Sequence, residues 1–274
     1  MKLLNVACGN RFHKDWINID FNTSSHDVNA INILNGLPYS DNSFDVVYSS
    51  HFFEHLTQNQ ADFVLREIFR VLKRGGIVRI VVPDLENICR KYLEILQGIQ
   101  DNNNKKKYAW IIVELLDQMV RTESGGEMLK IYQDTKTVND DYMSEYIYER
   151  VGEKLHASNN LPVSSTYKDK LGKLNVKMIK KLIFYTYISI IKKLFPMSIK
   201  NNLILNTSVG ERHLWMYDKY SLSEKISKNG FINIRFFSHN ESQIPKFSDY
   251  HLDTNVDGNP YKGVSSLYSE AIKP

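Results

Sequence analysis

Cysteine is scarce in the 274-residue sequence, which contains only Cys8 and Cys89. The two residues fall in different predicted elements and lack the spacing of metal ligands, so our interpretation excludes a disulfide framework and a cysteine zinc site. We therefore predict no metal site. A reducing compartment suits such a sequence, and we expect the protein to be cytoplasmic.

Long apolar runs are absent as well. No stretch approaches the roughly 20 apolar residues that are needed to span a bilayer. The first residues, Met1–Val6, enter a strand pattern directly and lack the apolar core of a signal peptide. The sequence therefore predicts neither a transmembrane helix nor a secretion signal.

Neither sign of charge is in large excess, because 35 Lys and Arg residues are offset by 31 Asp and Glu residues, which gives a net charge of +4. Since no domain-sized region is strongly basic, a nucleic-acid partner is not expected. Hydrophobic residues make up 42% of the sequence, a share that is ordinary for a globular domain and argues against general disorder. The composition does not predict an oligomeric state.

Short strand patterns alternate with helical patterns at the start of the sequence. The predicted strands are Leu3–Ala7, Trp16–Asp20, Phe44–Ser49 and Ile77–Val82, and the predicted helices are Ala61–Leu72 and Leu85–Leu96. The helix that normally joins the first two strands of such a pattern is absent or very short. Gly75 and Gly76 are interpreted as the stop of the first helix. This alternation predicts a parallel sheet that binds its ligands at the carboxyl ends of the strands.

Residues 98–207 interrupt the alternation. Asp101–Lys107 is interpreted as a solvated loop, and the stretch after it indicates helices without sheet partners. Strand and helix patterns return at the end, with a helix at Ser221–Asn229 and strands at Phe231–Phe237 and Ser265–Ile272.

The fold class predicted from this order is α/β: a Rossmann-like, mostly parallel sheet with a C-terminal antiparallel strand, plus a mainly helical insertion. Residues 1–97 and 208–274 are assigned to the core, and residues 98–207 to the insertion, which we expect to select the substrate. Within the insertion, residues 173–195 are both apolar and basic. Two interpretations stay open: a cap helix that packs its apolar face on the core, or an amphipathic element that touches the inner face of an anionic membrane.

Gly9 and Asp20 have the residue types that a nucleoside cofactor needs at the ends of two neighbouring strands. A glycine turn lets the backbone approach the ligand closely, and an acid one strand later can accept hydrogen bonds from ribose hydroxyls. Taken alone, the pair fits an ordinary turn and a solvated strand end equally well.

Five segments follow one another in a characteristic order: Asn5–Asn10, Trp16–Asp20, Leu37–Asp45, His51–Leu56 and Glu67–Gly76. Together they closely resemble the motifs of class I S-adenosylmethionine-dependent methyltransferases, and most of all a bacterial subgroup often linked to glycan biosynthesis. His213–Asp218 and Ser266–Ile272 resemble the same family.

The resemblance implies that S-adenosylmethionine is the cofactor and S-adenosylhomocysteine its product. It places Ala7 to Asn10 around the methionine part, Asp20 on the ribose, Asn32 and Ile33 against the adenine, and Ser49 and His51 nearest the sulfonium. The implied cofactor-binding set is Asn5, Ala7, Cys8, Gly9, Asn10, Asp20, Phe21, Asn32, Ile33, Ser49 and His51. Asn5 stands where the family often has an acid, and Ala7 and Arg11 occupy places that are usually glycine.

Histidines are the candidates for a general base, because their side chains titrate near neutral pH. We predict His51 and His213 as catalytic residues. The predicted substrate-binding set is Glu54, His55, Asp84, Arg212, His213 and Trp215. Structural alternatives stay open for several of them: Glu54 and His55 can cap or pack locally, Asp84 can cap the helix that follows it, and the residues around His213 can form a packed loop.

The function predicted first is O-methylation of a glycan or of its lipid-linked precursor, by in-line methyl transfer. A methyltransferase acting on a small molecule or an amine is the second interpretation. The third is a binding module that has kept the sheet and lost catalysis. A nicotinamide dehydrogenase is disfavoured, because its glycine turn normally contains more glycines than this one.

Overall fold

The computed structural model describes residues 1–23, 25–152, 186–187 and 210–274. Its strands are β1 (Leu3–Val6), β2 (Ile17–Asp20), β3 (Val28–Ala30), β4 (Phe44–Ser50), β5 (Leu72–Pro83), β6 (Ile232–Phe237) and β7 (Ser266–Ile272). Its α-helices are α1 (Gln58–Val71), α2 (Leu85–Gln97), α3 (Asn102–Val120), α4 (Gly126–Thr137), α5 (Asp141–Val151) and α6 (Lys219–Lys228). Short 3-10 turns are formed by Ile33–Asn35, Phe53–His55 and Phe247–Tyr250.

Within the described residues, the strands form one seven-stranded sheet in the order β3-β2-β1-β4-β5-β7-β6. The pairs from β3 to β5 are parallel, whereas β7 is antiparallel to both β5 and β6. The predicted fold class is therefore confirmed: a Rossmann-like, mostly parallel sheet with an antiparallel C-terminal strand, accompanied by helices.

Strand β1 lies at the centre of the sheet, and all four of its residues are buried. Continuous burial is typical of a parallel strand that is covered on both faces, and three of the four residues are apolar. β1 pairs with β2 on one side and with β4 on the other, so the strand order changes direction there. In open α/β sheets such a switch point leaves a crevice at the carboxyl ends of the strands, where ligands bind.

Helix α1 covers one face of the sheet. Thr57 caps its N-terminus, with its hydroxyl accepting from the Gln60 N–H and the Gln60 side chain accepting from the Thr57 N–H. The helix buries one stripe of residues at the spacing of an amphipathic helix: Ala61, Val64, Leu65, Ile68 and Val71. This stripe joins residues of β1, β4, β5 and α6 in the largest hydrophobic cluster.

The other face is covered differently, because the described residues form no helix between β1 and β2. A C-terminal loop, residues 244–252, packs there instead, and buried Phe247 and Leu252 share a cluster with Trp16 and Tyr48. The Trp16 ring makes an edge contact with Phe247 at 6.4 Å between centroids. The prediction of an absent or very short helix is thus confirmed, and a distant part of the chain covers the face in its place.

A buried ion network fixes this loop to the sheet. The Arg79 guanidinium on β5 donates from Nε to Asp253 Oδ2 at 2.7 Å and from Nη1 to Glu270 Oε1 at 2.6 Å, and all three side chains are almost fully buried. The Tyr48 hydroxyl donates to the second Asp253 oxygen at 2.5 Å. Because the charges are paired inside the protein, removal of one partner would leave the others buried and uncompensated.

Helices α3 to α5 form a separate hydrophobic cluster that packs against α2, with Trp110, Ile111 and Ile147 fully buried in it. The predicted mainly helical character of this region is borne out where the structure describes it. The division into a core and an insertion stays a prediction, and residues 173–195 lie outside the described residues except for residues 186–187. In the described part of the chain, no helix combines the length and apolar character required to cross a bilayer.

Two local predictions were wrong. Gly75 and Gly76 do not stop α1, which ends at Val71; they lie within β5, where the pairing with β4 skips from Leu72 to Ile77. The glycines permit this bulge, because a Cβ at Gly76 would lie 2.8 Å from the Lys73 carbonyl oxygen.

Asp101–Lys107 is not a loop either. Asp101 caps α3 by accepting from the N–H groups of Asn103 and Asn104, and the polar run after it forms the solvated first turns of that helix. The short strand β3 was not predicted.

Candidate functional site

The turn after β1 and the end of β2 meet at the carboxyl edge of the sheet. Asp20 Oδ2 accepts a hydrogen bond from the Gly9 N–H at 2.8 Å, and Oδ1 accepts from the Asn22 N–H at 3.2 Å. Ala7 and Gly9 both have left-handed backbone, with φ of 54° and 53°. This conformation favours glycine and is strained for alanine, so the turn stores local strain at the sheet edge.

A cleft of about 780 Å³ opens beside this turn, and we call it the β1–β2 cleft. Its volume is within the range of roughly 300–1,000 Å³ that is usual for small-molecule sites. Its lining includes Ala7, Gly9, Asn10, Asp20, Phe21, Asn32, Ile33 and His51. A Cβ built on Gly9 would meet no atom within 4 Å, so bare backbone faces open space there. Eight of the predicted cofactor residues therefore line one cleft.

Asn32 and Phe21 follow β3 and β2 and line the β1–β2 cleft. The Asn32 side chain caps the 3-10 turn Ile33–Asn35 by accepting from the Leu34 N–H at 3.0 Å. Phe21 is 59% exposed, so its ring is accessible to a ligand in the cleft.

A smaller cavity of about 140 Å³ lies on the other side of the β1 turn, and we call it the turn cavity. Asn5, Cys8, Arg11, Ser50 and Tyr261 are among its lining residues. Asn5 supports the turn from below, since its Nδ2 donates to the Arg11 carbonyl at 3.0 Å. Burial, reinforced by the Asp20 charge, raises the pKa of Cys8 to about 12, so Cys8 remains a thiol.

His51 follows the end of β4 and lines the β1–β2 cleft, the turn cavity and a third cavity. Its backbone is left-handed, with φ of 50°, and its N–H donates to the Val81 carbonyl at 2.8 Å. The ring is held at both nitrogens: Nδ1 lies 3.2 Å from Glu54 Oε1, and Nε2 lies 3.0 Å from Ser266 Oγ. A strained residue held in this way at a junction of cavities is typical of a functional site.

The third cavity, of about 340 Å³, is lined by His51, Glu54, His55 and His213, and we call it the histidine cavity. The Glu54 side chain is completely buried. Burial alone would raise the pKa of Glu54, but the His51 imidazole 3.2 Å away and the nearby His55 lower it to about 2. Glu54 is therefore a buried anion.

His213 behaves in the opposite way. Burial lowers the pKa of His213 to about 3 in spite of the attraction of the Glu54 charge, so its ring is neutral near pH 7. The rings of His55 and His213 are in edge contact, with centroids 4.9 Å apart.

Four predicted site residues lie outside the three cavities. Ser49 is fully buried in β4, and its neighbour Ser50 lines the turn cavity instead, because successive side chains of a strand point to opposite sides. Asp84 is the N-cap of α2: its Oδ1 accepts from the Asn87 N–H at 3.2 Å. Of the two interpretations left open for Asp84, the helix cap is the one that the structure shows, and contact of Ser49 or Asp84 with a ligand stays a prediction.

Arg212 and Trp215 are the other two. The Arg212 guanidinium donates to the Met119 carbonyl at 2.8 Å, which turns it toward α3. Trp215 is 44% exposed and lines a surface depression with Tyr217 and Tyr220. Neighbours in sequence are therefore separated in space, and of this segment His213 and Met216 line the histidine cavity.

Several lining residues were missed by the sequence analysis. Tyr261 stacks beneath the Arg11 guanidinium at 4.3 Å and lines the turn cavity. Glu114 and Gln118 on α3, and Arg121 directly after its end, line the histidine cavity. Their spacing of three and four residues places them on one helix face, a signal that was present in the sequence but is equally common on solvated helices.

Comparison with known proteins supports a methyltransferase domain. Residues 7–80 match the family model described as a methyltransferase domain. This region begins directly after β1 and contains β2 to β4, α1 and most of β5, and with them the turn after β1, Asp20 and His51. Among curated proteins, no match was found.

Three solved structures are among those that match parts of this chain or its whole length. The [4+2]-cyclase SpnF shares 25% identity over 30% of this chain and 38% of its own, with a TM-score of 0.25. A SAM-dependent methyltransferase from Methanosarcina mazei shares 20% identity over 34% of this chain and 59% of its own, with a TM-score of 0.27. A SAM-dependent methyltransferase from Archaeoglobus fulgidus shares 11% identity over 99% of this chain and 86% of its own, with a TM-score of 0.37. This chain thus spans less than two thirds of the length of the first two.

These TM-scores are low, so the assignment rests on the family match and on the cleft. A bare glycine turn and a carboxylate bonded to it line one cleft of suitable volume, which is what an adenosyl ligand requires. Residues 7–80 are thus similar to a methyltransferase domain, and the β1–β2 cleft lies within reach of the residues that this match covers.

Proposed function

We propose that the whole chain is an enzyme that transfers the methyl group of S-adenosylmethionine to a hydroxyl oxygen of its acceptor. The observation that carries the proposal is the position of His51, which lines the β1–β2 cleft and the histidine cavity at once. A residue at that junction touches both reactants when one of them fills each cavity. The family match supports the donor, and the polar histidine cavity supports a polar acceptor.

We assign the β1–β2 cleft to the nucleoside part of the cofactor. Asp20 is the acceptor for the ribose hydroxyls, because each of its oxygens has a single donor from the protein and can accept further hydrogen bonds. Asn32, Ile33 and exposed Phe21 lie where the adenine ring would be held. Bare backbone at Gly9 permits the close approach that the cofactor needs.

We assign the turn cavity to the methionine end of the cofactor, together with Ala7, Cys8 and Asn10. Arg11 is the residue of interest, since its buried Nε has no hydrogen-bond partner in the described part of the chain. A carboxylate is the preferred partner of a guanidinium. The arginine that replaces a usual glycine therefore offers a positive charge to the methionine carboxylate.

When bound, S-adenosylmethionine supplies an activated methyl group: the acceptor oxygen forms a bond to the methyl carbon as the carbon–sulfur bond breaks, and the electron pair stays on sulfur. The protein has to align the acceptor and remove its proton. Glu54 faces Nδ1 of His51, so in the neutral ring Nδ1 carries the hydrogen and Nε2 has the lone pair. The acceptor hydroxyl has to take the place of Ser266 Oγ, which lies 3.0 Å from Nε2 in the free protein. Nε2 then takes the hydroxyl proton and releases it to solvent after each turnover.

The acceptor class that we propose is a glycan or a lipid-linked glycan precursor. The Gln118 amide can both donate and accept in the histidine cavity, and the Arg121 Nε, which has no hydrogen-bond partner in the described part of the chain, is a further donor, as the binding of a polyhydroxylated molecule requires. The choice of a glycan among polyhydroxylated acceptors rests on the resemblance of the sequence motifs to the subgroup linked to glycan biosynthesis. Contact of residues 173–195 with a membrane would bring a lipid-linked acceptor close, and this too remains a proposal.

Two measurements test the proposed function. Calorimetric titration with S-adenosylmethionine and S-adenosylhomocysteine should show one site, accompanied by a rise in thermal stability. Tritium from the labelled methyl group should then appear in glycan or lipid extracts of the source cell, in the presence of the wild-type protein and not of His51→Asn. If neither ligand gives heat or a thermal shift, the chain is a binding module without its donor; if tritium enters amines only, the hydroxyl acceptor is wrong.

A further inference from the structure

Glu54, His55 and His213 bring three metal-binding side chains to one wall of the histidine cavity. One ligand atom from each lies within 4.8 Å of the other two. Ligands held about 2.0–2.2 Å from a cation stand roughly 3–4 Å apart, so small side-chain rotations would close the set around an ion. All three residues line the same cavity, which leaves room for further ligands on the open side.

The His55 ring is already oriented as a metal ligand would be. Its Nδ1 lies 2.8 Å from the Arg212 carbonyl oxygen, which can only accept, so Nδ1 carries the hydrogen. The lone pair of the neutral ring is then on Nε2, which faces Glu54 Oε1 at 3.8 Å. Metal-binding histidines usually donate their second ring N–H to a backbone carbonyl or a carboxylate in this way.

The burial of the Glu54 carboxylate supports a cation at this wall independently of the ligand spacing. It is completely buried, and in the described part of the chain neither of its oxygens makes a well-directed hydrogen bond. The nearest nitrogen is His51 Nδ1, at 3.2 Å from Oε1. A buried carboxylate is costly unless its charge is compensated, and a cation in the cavity would compensate it directly.

Backbone hydrogen bonds hold the two ligand-bearing segments together. The Glu54 carbonyl accepts from the N–H groups of Leu214 at 2.7 Å and Trp215 at 3.1 Å. The His213 N–H donates to the Gln118 carbonyl of α3 at 2.9 Å. These bonds do not depend on any ligand, so the three side chains are preorganised.

We propose that Glu54, His55 and His213 bind one divalent transition-metal cation whose open coordination positions face the histidine cavity. Two imidazoles and one carboxylate suit zinc, iron, manganese or cobalt better than calcium or magnesium. The role of the cation rests on the proposed function: it would bind the acceptor hydroxyl and make its proton easier for His51 to remove. No metal site was predicted from the sequence, because the two cysteines lack the spacing of metal ligands. The three proposed ligands come from two segments that are distant in sequence, so they form no recognisable motif.

The test uses the full chain without an affinity tag, treated with a chelator and dialysed. Calorimetric titration with Zn²⁺ should show one site and a rise in melting temperature. His55→Gln and His213→Gln should each weaken Zn²⁺ binding by more than about 100-fold, since loss of a direct ligand costs more than loss of an outer partner. The matched control is His239→Gln, because His239 lines none of the three cavities and bonds to the Gly258 carbonyl.

Binding of S-adenosylhomocysteine to the same proteins reports whether the variants are folded and whether the proposed function holds. The inference is upheld if the glutamine variants bind S-adenosylhomocysteine like the wild type but lose Zn²⁺. It is overturned if the wild type takes up no more Zn²⁺ than these variants, and the donor assignment then stands on its own. If S-adenosylhomocysteine does not bind to the wild type, the proposed function fails, whereas the Zn²⁺ titration still decides the metal site.

Discussion

The β1–β2 cleft and the histidine cavity share His51 but are built in different ways. The cleft is formed by strand ends that are close in sequence, and it offers backbone and one carboxylate. The cavity gathers the turn Phe53–His55, one face of α3 and residues 210–216, and it offers buried titratable side chains. A site formed by backbone at neighbouring strand ends can be predicted from a short sequence motif. A site formed by side chains that are distant in sequence can be recognised only in the folded structure.

A change at His51, the residue that both sites share, should have the largest effect. His51→Ala should lower kcat by about 10²–10⁴-fold, because the acceptor proton loses its base. The dissociation constant of S-adenosylmethionine should change little, since backbone and Asp20 bind the donor. His51→Asn is the matched variant: asparagine tolerates the left-handed backbone, so an equal loss in both variants assigns the effect to the imidazole. Full activity in either variant would remove His51 as the base.

A change in the cleft alone should have the next largest effect. Asp20→Ala should weaken S-adenosylmethionine binding by about 1–3 kcal/mol, because charge-assisted hydrogen bonds to the ribose are lost. Calorimetry measures this directly, and Zn²⁺ binding in the histidine cavity should stay unchanged. Asp15→Ala on the same connection is the control, since Asp15 does not line the cleft. An unchanged dissociation constant in Asp20→Ala would show that the ribose assignment is wrong.

A change outside all three cavities should have the smallest effect. Asp84→Ala should lower the free energy of unfolding by about 1 kcal/mol, because α2 loses its N-cap. Asp84→Asn keeps a capping oxygen and should retain most of that stability. Both variants should leave kcat and the acceptor KM unchanged in the transfer assay. A raised acceptor KM in Asp84→Ala at normal stability would restore Asp84 to the substrate site.

Much of the cleft was predictable, because its geometry is local. Leu3–Val6 and Ile17–Asp20 are short buried strands, and parallel pairing brings Gly9 and Asp20 to the same edge whatever the rest of the chain does. The fold class followed from the same alternation and was confirmed.

Where the sequence misled, the cause was physical: tertiary contacts, rather than the local sequence pattern, determined the structure of the segment. Gly75 and Gly76 have the composition of a helix stop, yet they serve a bulge in β5. Arg212 and Trp215 stand beside His213 in sequence, yet they lie outside the three cavities, whereas His213 and Met216 line the histidine cavity. Contacts between residues that are far apart in sequence have no local sequence motif by which they could be predicted.

The loop at residues 244–252 has a consequence for how the protein is made. Because this loop replaces a helix between β1 and β2, the apolar side chains of Leu3, Trp16 and Tyr48 have no cover until the C-terminal part of the chain has left the ribosome. Contacts between segments so far apart in sequence form slowly. During synthesis the emerging N-terminal strands therefore expose an aromatic surface, and we expect a chain truncated before Phe247 to aggregate or to require a chaperone.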